Sequence, residues 1–66
     1  SYASKQAYLI AMLRTPSGAS IEQMMSFTGW QAHTVRGAIS GMVRKRLGYE
    51  VVTEKSADGP RAYRIA

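Results

Sequence analysis

The sequence predicts an α+β fold in which three helices precede a C-terminal β-hairpin. Apolar residues recur at helical spacing along the first two-thirds of the chain, and after Gly48 the hydrophobic period changes to two. Helix-ending residues divide the first part at Pro16, Gly18 and Gly29, because proline cannot continue a helix and glycine accepts left-handed geometry. A length of 66 residues leaves room for one domain, so we expect residues 1–66 to form a single unit.

The first helix is predicted to run from Lys5 to Arg14, with Ser4 as its N-cap. No helix breaker interrupts this segment, and its apolar side is broad. Arg14 is expected in the last turn, where a cation complements the helix dipole. The Thr-Pro-Ser-Gly sequence that follows predicts the end of the helix.

A second, shorter helix is predicted to open at Ser20. Gln23 lies three residues later and completes a Ser-x-x-Gln capping box. Thr28 and Gly29 are predicted to end this helix. Its expected buried side consists of Ile21, Met24, Met25 and Phe27. Because a helix of about seven residues is not stable alone, it must depend on packing.

A third helix is predicted from Gln31 to Leu47, and it has two unlike faces. The apolar face is formed by residues at helical spacing, namely Val35, Ile39, Met42 and Val43. The opposite face is a polar and cationic stripe made of His33, Arg36, Gly37, Ser40 and Arg44. A helix that packs by one face and presents small and basic residues on the other suits insertion into a DNA groove.

Two strands are predicted after Gly48, at residues 49–55 and 61–65, because both segments are rich in β-branched and aromatic residues. Residues 56–60, Ser-Ala-Asp-Gly-Pro, have the composition of a turn. Three helices followed by a hairpin is the order of a winged helix-turn-helix domain.

The chain is basic, with nine Lys and Arg residues against four Asp and Glu residues and a formal net charge of +5. Seven of the nine cations lie in residues 34–66. Such an excess in one part of a small domain favours a polyanionic partner. A solvated surface that is merely basic stays open on charge alone.

The composition argues against several other classes. The absence of cysteine excludes a disulfide framework and a thiolate zinc site. No apolar run approaches the ~18 residues of a membrane span and no signal peptide is visible, so we expect an intracellular, cytoplasmic protein. His33 is the single histidine, and no two acidic residues are adjacent. We therefore expect no metal, no cofactor and no enzymatic activity.

The third helix is expected to enter the major groove of double-stranded DNA, where base edges expose distinguishable donors and acceptors. Base contacts are expected from Gln31, His33, Thr34, Arg36 and Ser40. The Arg36 guanidinium suits guanine O6 and N7, and the Gln31 amide suits adenine. Backbone contacts are expected from Arg44, Lys45, Lys55 and Arg61.

Three alternatives stay open. Gly37 and Gly41 allow close approach either of DNA or of another helix, and the second case describes a protein-interaction module built on this glycine face. Trp30 is expected to lock the second helix against the third, whereas a stacking platform would indicate binding of single-stranded nucleic acid or RNA. Because one helix reads only one half-site, a homodimer or another protein partner is also compatible with the sequence.

Residues 28–37 carry a specific motif, Thr-Gly-Trp-Gln-Ala-His-Thr-Val-Arg-Gly, which is followed by Arg-Leu-Gly at 46–48 and Tyr-Arg-Ile at 63–65. With these segments the chain resembles a small bacterial domain-of-unknown-function family from Lys5 to Ile65. The resemblance implies a winged-helix fold in bacterial or phage-derived proteins, sometimes behind a basic, flexible N-terminal tail. Because that tail is absent here, we expect a domain trimmed from a longer chain.

The chain also resembles, more loosely, the helix-turn-helix of bacterial transcription regulators. The resemblance lies in the Thr-Gly turn at residues 28–29 and the Thr-Val pair at residues 34–35. We expect a regulator of transcription, or an accessory factor in the handling of phage or mobile-element DNA, at the bacterial nucleoid. Gly37 and Gly41 depart from the usual composition of a recognition helix.

Overall fold

The computed structural model describes residues 2–55 and 57–66 and has the predicted order of three helices followed by a hairpin. Its elements are α1 (Tyr2–Leu13), β1 (Ala19–Ser20), α2 (Ile21–Thr28), α3 (Ala32–Gly37) with a π-helical continuation (Ala38–Arg46), β2 (Val51–Lys55) and β3 (Arg61–Ile65). The fold is therefore α+β and is consistent with a winged-helix layout. Among the described residues, no helix is both long and apolar enough to cross a membrane.

Helix α1 begins earlier than predicted. Ser4 lies inside the helix, so its assignment as the N-cap was wrong. The helix includes Ala3, in keeping with the high helix propensity of alanine. Its last residue is Leu13. Arg14 follows the helix and lies against Tyr49, donating to the Tyr49 hydroxyl at 2.8 Å with its guanidinium carbon 5.2 Å from the ring centre.

Helix α2 starts with the predicted capping box. The hydroxyl of Ser20 accepts a hydrogen bond from the Gln23 amide at 3.1 Å, and Gln23 Oε1 accepts from the Ser20 amide at 2.9 Å. Two backbone N–H groups at the start of the helix are thereby paired. Since Ser20 is buried, water does not readily replace these bonds.

Substitution Ser20→Ala is expected to lower the free energy of unfolding by about 1 kcal/mol, the usual cost of removing an N-cap hydroxyl. Urea unfolding monitored by circular dichroism measures the change. Ser26→Ala is the matched control, because Ser26 is an exposed residue inside the same helix. Equal stability of the two variants would show that the capping box contributes nothing.

Thr28 holds the turn between α2 and α3. Its hydroxyl donates to the Met24 carbonyl at 2.7 Å and accepts from the Trp30 amide at 3.1 Å. Gly29 has φ 77°, in the left-handed region that favours glycine, and its amide donates to the Met25 carbonyl at 2.8 Å. The predicted end of α2 is confirmed, and this turn determines where the next helix begins.

Helix α3 and its π-helical continuation together form the third helix. It begins at Ala32 and ends at Arg46, within one residue of the predicted bounds. After its last residue, the Leu47 amide donates at 3.0 Å to the carbonyl of Met42, five residues earlier. Gly48 then adopts φ 73° and ends the helix, as predicted.

The sheet has three antiparallel strands in the order β1–β3–β2, with β3 in the centre. Strands β2 and β3 form the predicted hairpin, in which Thr53 pairs with Tyr63. The sequence did not predict β1, where Ala19 pairs with Tyr63, because two residues are too short to show a period. The turn predicted over residues 56–60 begins at Ser56, which lies outside the described residues.

Strand β2 begins at Val51, so the predicted strand start at Tyr49 was wrong. The Tyr49 amide donates to the Val43 carbonyl at 3.1 Å. This bond belongs to the closing turn of the third helix and removes Tyr49 from the sheet ladder.

The core lies between the helices and the sheet. Its buried apolar residues are Leu9, Leu13, Ala19, Ile21, Met24, Val35, Ile39, Met42, Val43 and Val51. Trp30 and Met25 are partly buried and pack against this cluster. Trp30 therefore contributes to packing, as a partly buried residue at the edge of the core.

Phe27 does not belong to the buried side of α2, and that prediction was wrong. It is 59% exposed, and its ring centre lies 5.4 Å from that of Tyr8, which is 55% exposed. The buried residues of α2 are Ile21, Met24 and Thr28, which follow one line along the helix. Position 27 lies off this line, about 100° around the helix from position 28.

Candidate nucleic-acid interface

The two faces of the third helix are divided as the sequence predicted. On the apolar face, Val35 and Val43 are fully buried, and Ile39 and Met42 are nearly so. Every residue of the predicted polar stripe is exposed, namely His33, Arg36, Gly37, Ser40 and Arg44. Burial of one face anchors the helix to the body and leaves the cationic face in solvent.

A cleft, here called the inner cleft, separates the third helix from the hairpin. It is lined by Tyr63 of β3 and, on the helix, by Arg36, Ile39, Ser40 and Arg44. Two predicted base-contacting residues, Arg36 and Ser40, thus lie beside Arg44, a predicted backbone-contacting residue. All three face the same groove in the protein surface.

A second cleft, here called the outer cleft, lies nearer the hairpin tip. Its lining residues are Ile21, Glu22, Arg36, Lys55, Pro60, Arg61 and Tyr63. Because Arg36 and Tyr63 line both clefts, the two adjoin at these residues. The structure therefore brings the hairpin cations Lys55 and Arg61 to the same surface as the helix cations.

Strand register places two like charges side by side on the hairpin. Lys55 of β2 is directly opposite Arg61 of β3. Like charges in directly opposed positions of a sheet repel each other and destabilise the pairing. A bound anion would relieve this repulsion, and the observation favours an anionic partner for the hairpin.

Three cations of this surface donate hydrogen bonds to neutral acceptors. Each bond is 3.2 Å long, and they run from Arg44 to the Val51 carbonyl, from Lys55 to the Gly59 carbonyl and from Arg61 to the Thr53 hydroxyl. Neutral acceptors position a cation without cancelling its charge. The positive charge of the surface therefore stays available to a partner.

Arg64 differs from these cations because it is neutralised. It pairs with Glu54 at 2.7 Å, the ion pair that the structure shows within residues 2–55 and 57–66. Since successive side chains of a strand point to opposite faces, Arg64 lies on the other side of the sheet from Arg61 and Tyr63. Lys55 and Arg61, for which the described residues show no ion pair, thus lie on the face next to the third helix.

Gly37 and Gly41 lie on the open face of the third helix. A Cβ added at either position would meet no atom of the described residues within 4 Å. Packing against another helix within this part of the chain therefore does not account for these glycines. Each glycine costs a helix about 1 kcal/mol relative to alanine, and the space beside both is open.

Four further predicted contacts lie outside both clefts. Gln31 is the N-cap of α3 and makes no side-chain capping bond, while His33 and Thr34 are exposed in the first turn. Lys45 is exposed near the helix end. These residues extend the cationic and polar face along the helix, whereas the clefts form only around Arg36, Ser40, Arg44, Lys55 and Arg61.

The polar residues Tyr63 and Glu22 line the clefts but were not among the contacts predicted from the sequence. Tyr63 is partly buried and packs against the core while lining both clefts. The alternation of β3 was the available indication for Tyr63, because it puts Arg61 and Tyr63 on the same face.

Comparison with known proteins supports the resemblance to a domain-of-unknown-function family. The family model described as "Protein of unknown function (DUF3489)" matches residues 1–65. No curated protein and no solved structure matches the chain significantly. Since the family model spans almost the whole sequence, the chain belongs to the DUF3489 family of proteins of unknown function.

Proposed function

We propose that this chain is a winged helix-turn-helix domain that binds double-stranded DNA and catalyses no reaction. The third helix enters the major groove, and the β2–β3 hairpin, as the wing, lies along the sugar–phosphate backbone. The observation that carries this proposal is the cationic surface on both sides of the adjoining clefts, formed by Arg36, Arg44, Lys55 and Arg61. These four cations outnumber the one carboxylate of the clefts, Glu22, and phosphates supply the negative charge that balances them.

The residues divide into two roles. Contacts to base edges come from the exposed first half of the helix, at Gln31, His33, Thr34, Arg36 and Ser40. Contacts to phosphates come from the end of the helix and the wing, at Arg44, Lys45, Lys55 and Arg61. Regulation of transcription, or an accessory role in bacterial or phage DNA handling at the nucleoid, is the setting that fits such a domain.

A protein-interaction module is the second candidate. The open space above Gly37 and Gly41 suits any partner that approaches the helix closely, including an apolar helix. The cations that flank this face favour a polyanion, and a salt series separates the two candidates. With four phosphate contacts, the logarithm of the association constant should fall with log salt at a slope of about −3 to −4. An apolar protein interface has no such slope.

Arg36→Ala is expected to weaken binding to a selected duplex by about 1–3 kcal/mol and to affect random DNA less, because a guanidinium discriminates guanine through O6 and N7. Lys55→Ala is expected to weaken binding to all sequences alike and to reduce the salt slope by about one, because it removes one phosphate contact. Fluorescence anisotropy on selected and random duplexes across a salt series measures both effects.

The matched control for these variants is Arg64→Ala. It removes the same formal charge, but from the opposite face of the sheet, where Glu54 already neutralises it. We expect this variant to bind DNA as the wild type does. Identical losses of affinity for Arg36→Ala and Lys55→Ala on both kinds of duplex would contradict the division of roles. A similar loss of affinity for Arg64→Ala would show that the variants act only through the net charge of the protein.

A further inference from the structure

Tyr63 occupies the place where the inner and outer clefts adjoin. It lines both clefts and packs against the core with part of its surface. Its strand is the central one, where Tyr63 pairs with Ala19 of β1 on one side and with Thr53 of β2 on the other. Because its strand is paired on both sides, the position of Tyr63 on the protein surface is fixed.

The hydroxyl of Tyr63 makes no hydrogen bond to any of the described residues. The other partly buried tyrosine near the core, Tyr49, differs in this respect, because its hydroxyl accepts from Arg14 at 2.8 Å. A phenol carries one O–H donor. The donor of Tyr63 is therefore open to an outside acceptor, and it lies among cations that attract anionic ones.

We infer that one phosphate of the DNA backbone is seated at this junction, with the Tyr63 hydroxyl donating to a non-bridging phosphate oxygen. The inference rests on the proposed function. Arg44 supplies positive charge from the helix side and Arg61 from the wing side. Tyrosine hydroxyls are regular donors to DNA phosphates, and such contacts determine how a protein is oriented on the duplex.

Glu22 determines on which side of Tyr63 the phosphate lies. It is the carboxylate that lines the outer cleft, and neither Glu22 nor any other acid lines the inner cleft. A phosphate is repelled by a carboxylate and attracted by a guanidinium. The phosphate is therefore placed on the inner side of Tyr63, beside Arg44.

Removal of a neutral hydrogen-bond donor and removal of a cation change the measured DNA affinity in different ways. Removal of a cation reduces counterion release and hence the salt slope. Removal of the Tyr63 hydroxyl lowers affinity by one hydrogen bond to a charged group and leaves the slope unchanged. Because phosphates carry no sequence information, the loss is the same on every sequence.

The test compares Tyr63→Phe with Tyr49→Phe in binding to selected and random duplexes across a salt series. Tyr63→Phe should bind both duplexes about tenfold more weakly, with the wild-type salt slope. Tyr49→Phe should bind as the wild type does, because its hydroxyl is paired within the chain. Thermal unfolding of Tyr63→Phe should match the wild type, since the lost hydroxyl has no partner among the residues that the structure describes.

The outcomes separate this inference from the proposed function. If Tyr63→Phe binds as tightly as the wild type while the wild type keeps its steep salt dependence, the phosphate at Tyr63 is refuted and DNA binding stands. A Tyr63→Phe variant that loses affinity on the selected duplex alone would also overturn the phosphate assignment. If the wild type shows no salt-dependent affinity for duplex DNA, the proposed function itself fails.

Discussion

Replacement of Gly18 by alanine is expected to destabilise the fold by about 2–4 kcal/mol, because it combines backbone strain with steric overlap. Gly18 has φ 67°, in the region that L side chains rarely adopt. A Cβ at this position would overlap the Tyr63 carbonyl oxygen and would lie 2.9 Å from the Arg64 Cβ. The close approach brings the loop after α1 against the central strand, directly before β1 pairs with it.

The variant Gly29→Ala separates the cost of backbone strain from the cost of steric overlap. Gly29 also has a positive φ, of 77°, but a Cβ there would meet no atom within 4 Å. We expect this control to cost about 1–2 kcal/mol, the cost of left-handed geometry alone. Urea unfolding of both variants gives the comparison. If Gly18→Ala is no less stable than Gly29→Ala, the close contact with β3 does not constrain the fold.

The double substitution Gly37→Ala with Gly41→Ala is expected to act in opposite directions on stability and on binding. Both glycines lie in the third helix with open space around them, so alanine should raise the free energy of unfolding by about 2 kcal/mol in total. The same two methyl groups would stand between the helix and the DNA. Overpacking of a close interface costs about 1–3 kcal/mol, so duplex affinity should fall by about tenfold or more.

Thermal unfolding and anisotropy titration on one preparation measure both effects. Ala38→Gly is the reverse control, because it lies on the same helix next to Gly37 and should lower stability by about 1 kcal/mol without adding bulk. A double variant that is more stable and binds DNA as tightly as the wild type would show that the glycine face does not approach DNA. Loss of stability would show that the face is packed.

The faces of the third helix could be predicted because burial follows the helical period. Val35, Ile39 and Val43 recur every four residues, Met42 lies on the same face, and the other positions between them are polar or small. The capping box could be predicted as well, because Ser20 and Gln23 lie three residues apart and hydrogen-bond to each other. Such local patterns can be predicted because residues that are close in the sequence cause them.

Other features depend on contacts between distant segments and left no local pattern. Strand β1 is two residues long and exists because Ala19 meets Tyr63 of the central strand. Phe27 is apolar, so the sequence alone suggests that it is buried. Its exposure depends on how α2 is positioned against the core. The presence of Arg36 and Tyr63 in the lining of both clefts likewise needs the folded chain, because these residues are far apart in the sequence.

A titration of the labelled protein with mixed-sequence duplex DNA, followed by amide chemical shifts in NMR spectra, tests the central claim most directly. Binding through the third helix and the wing predicts shifts confined to residues 31–45 and 55–63, and these shifts should reverse as salt is raised. Shifts centred on the exposed Tyr8–Phe27 pair of α1 and α2, or spectra that DNA leaves unchanged at low salt, would contradict it.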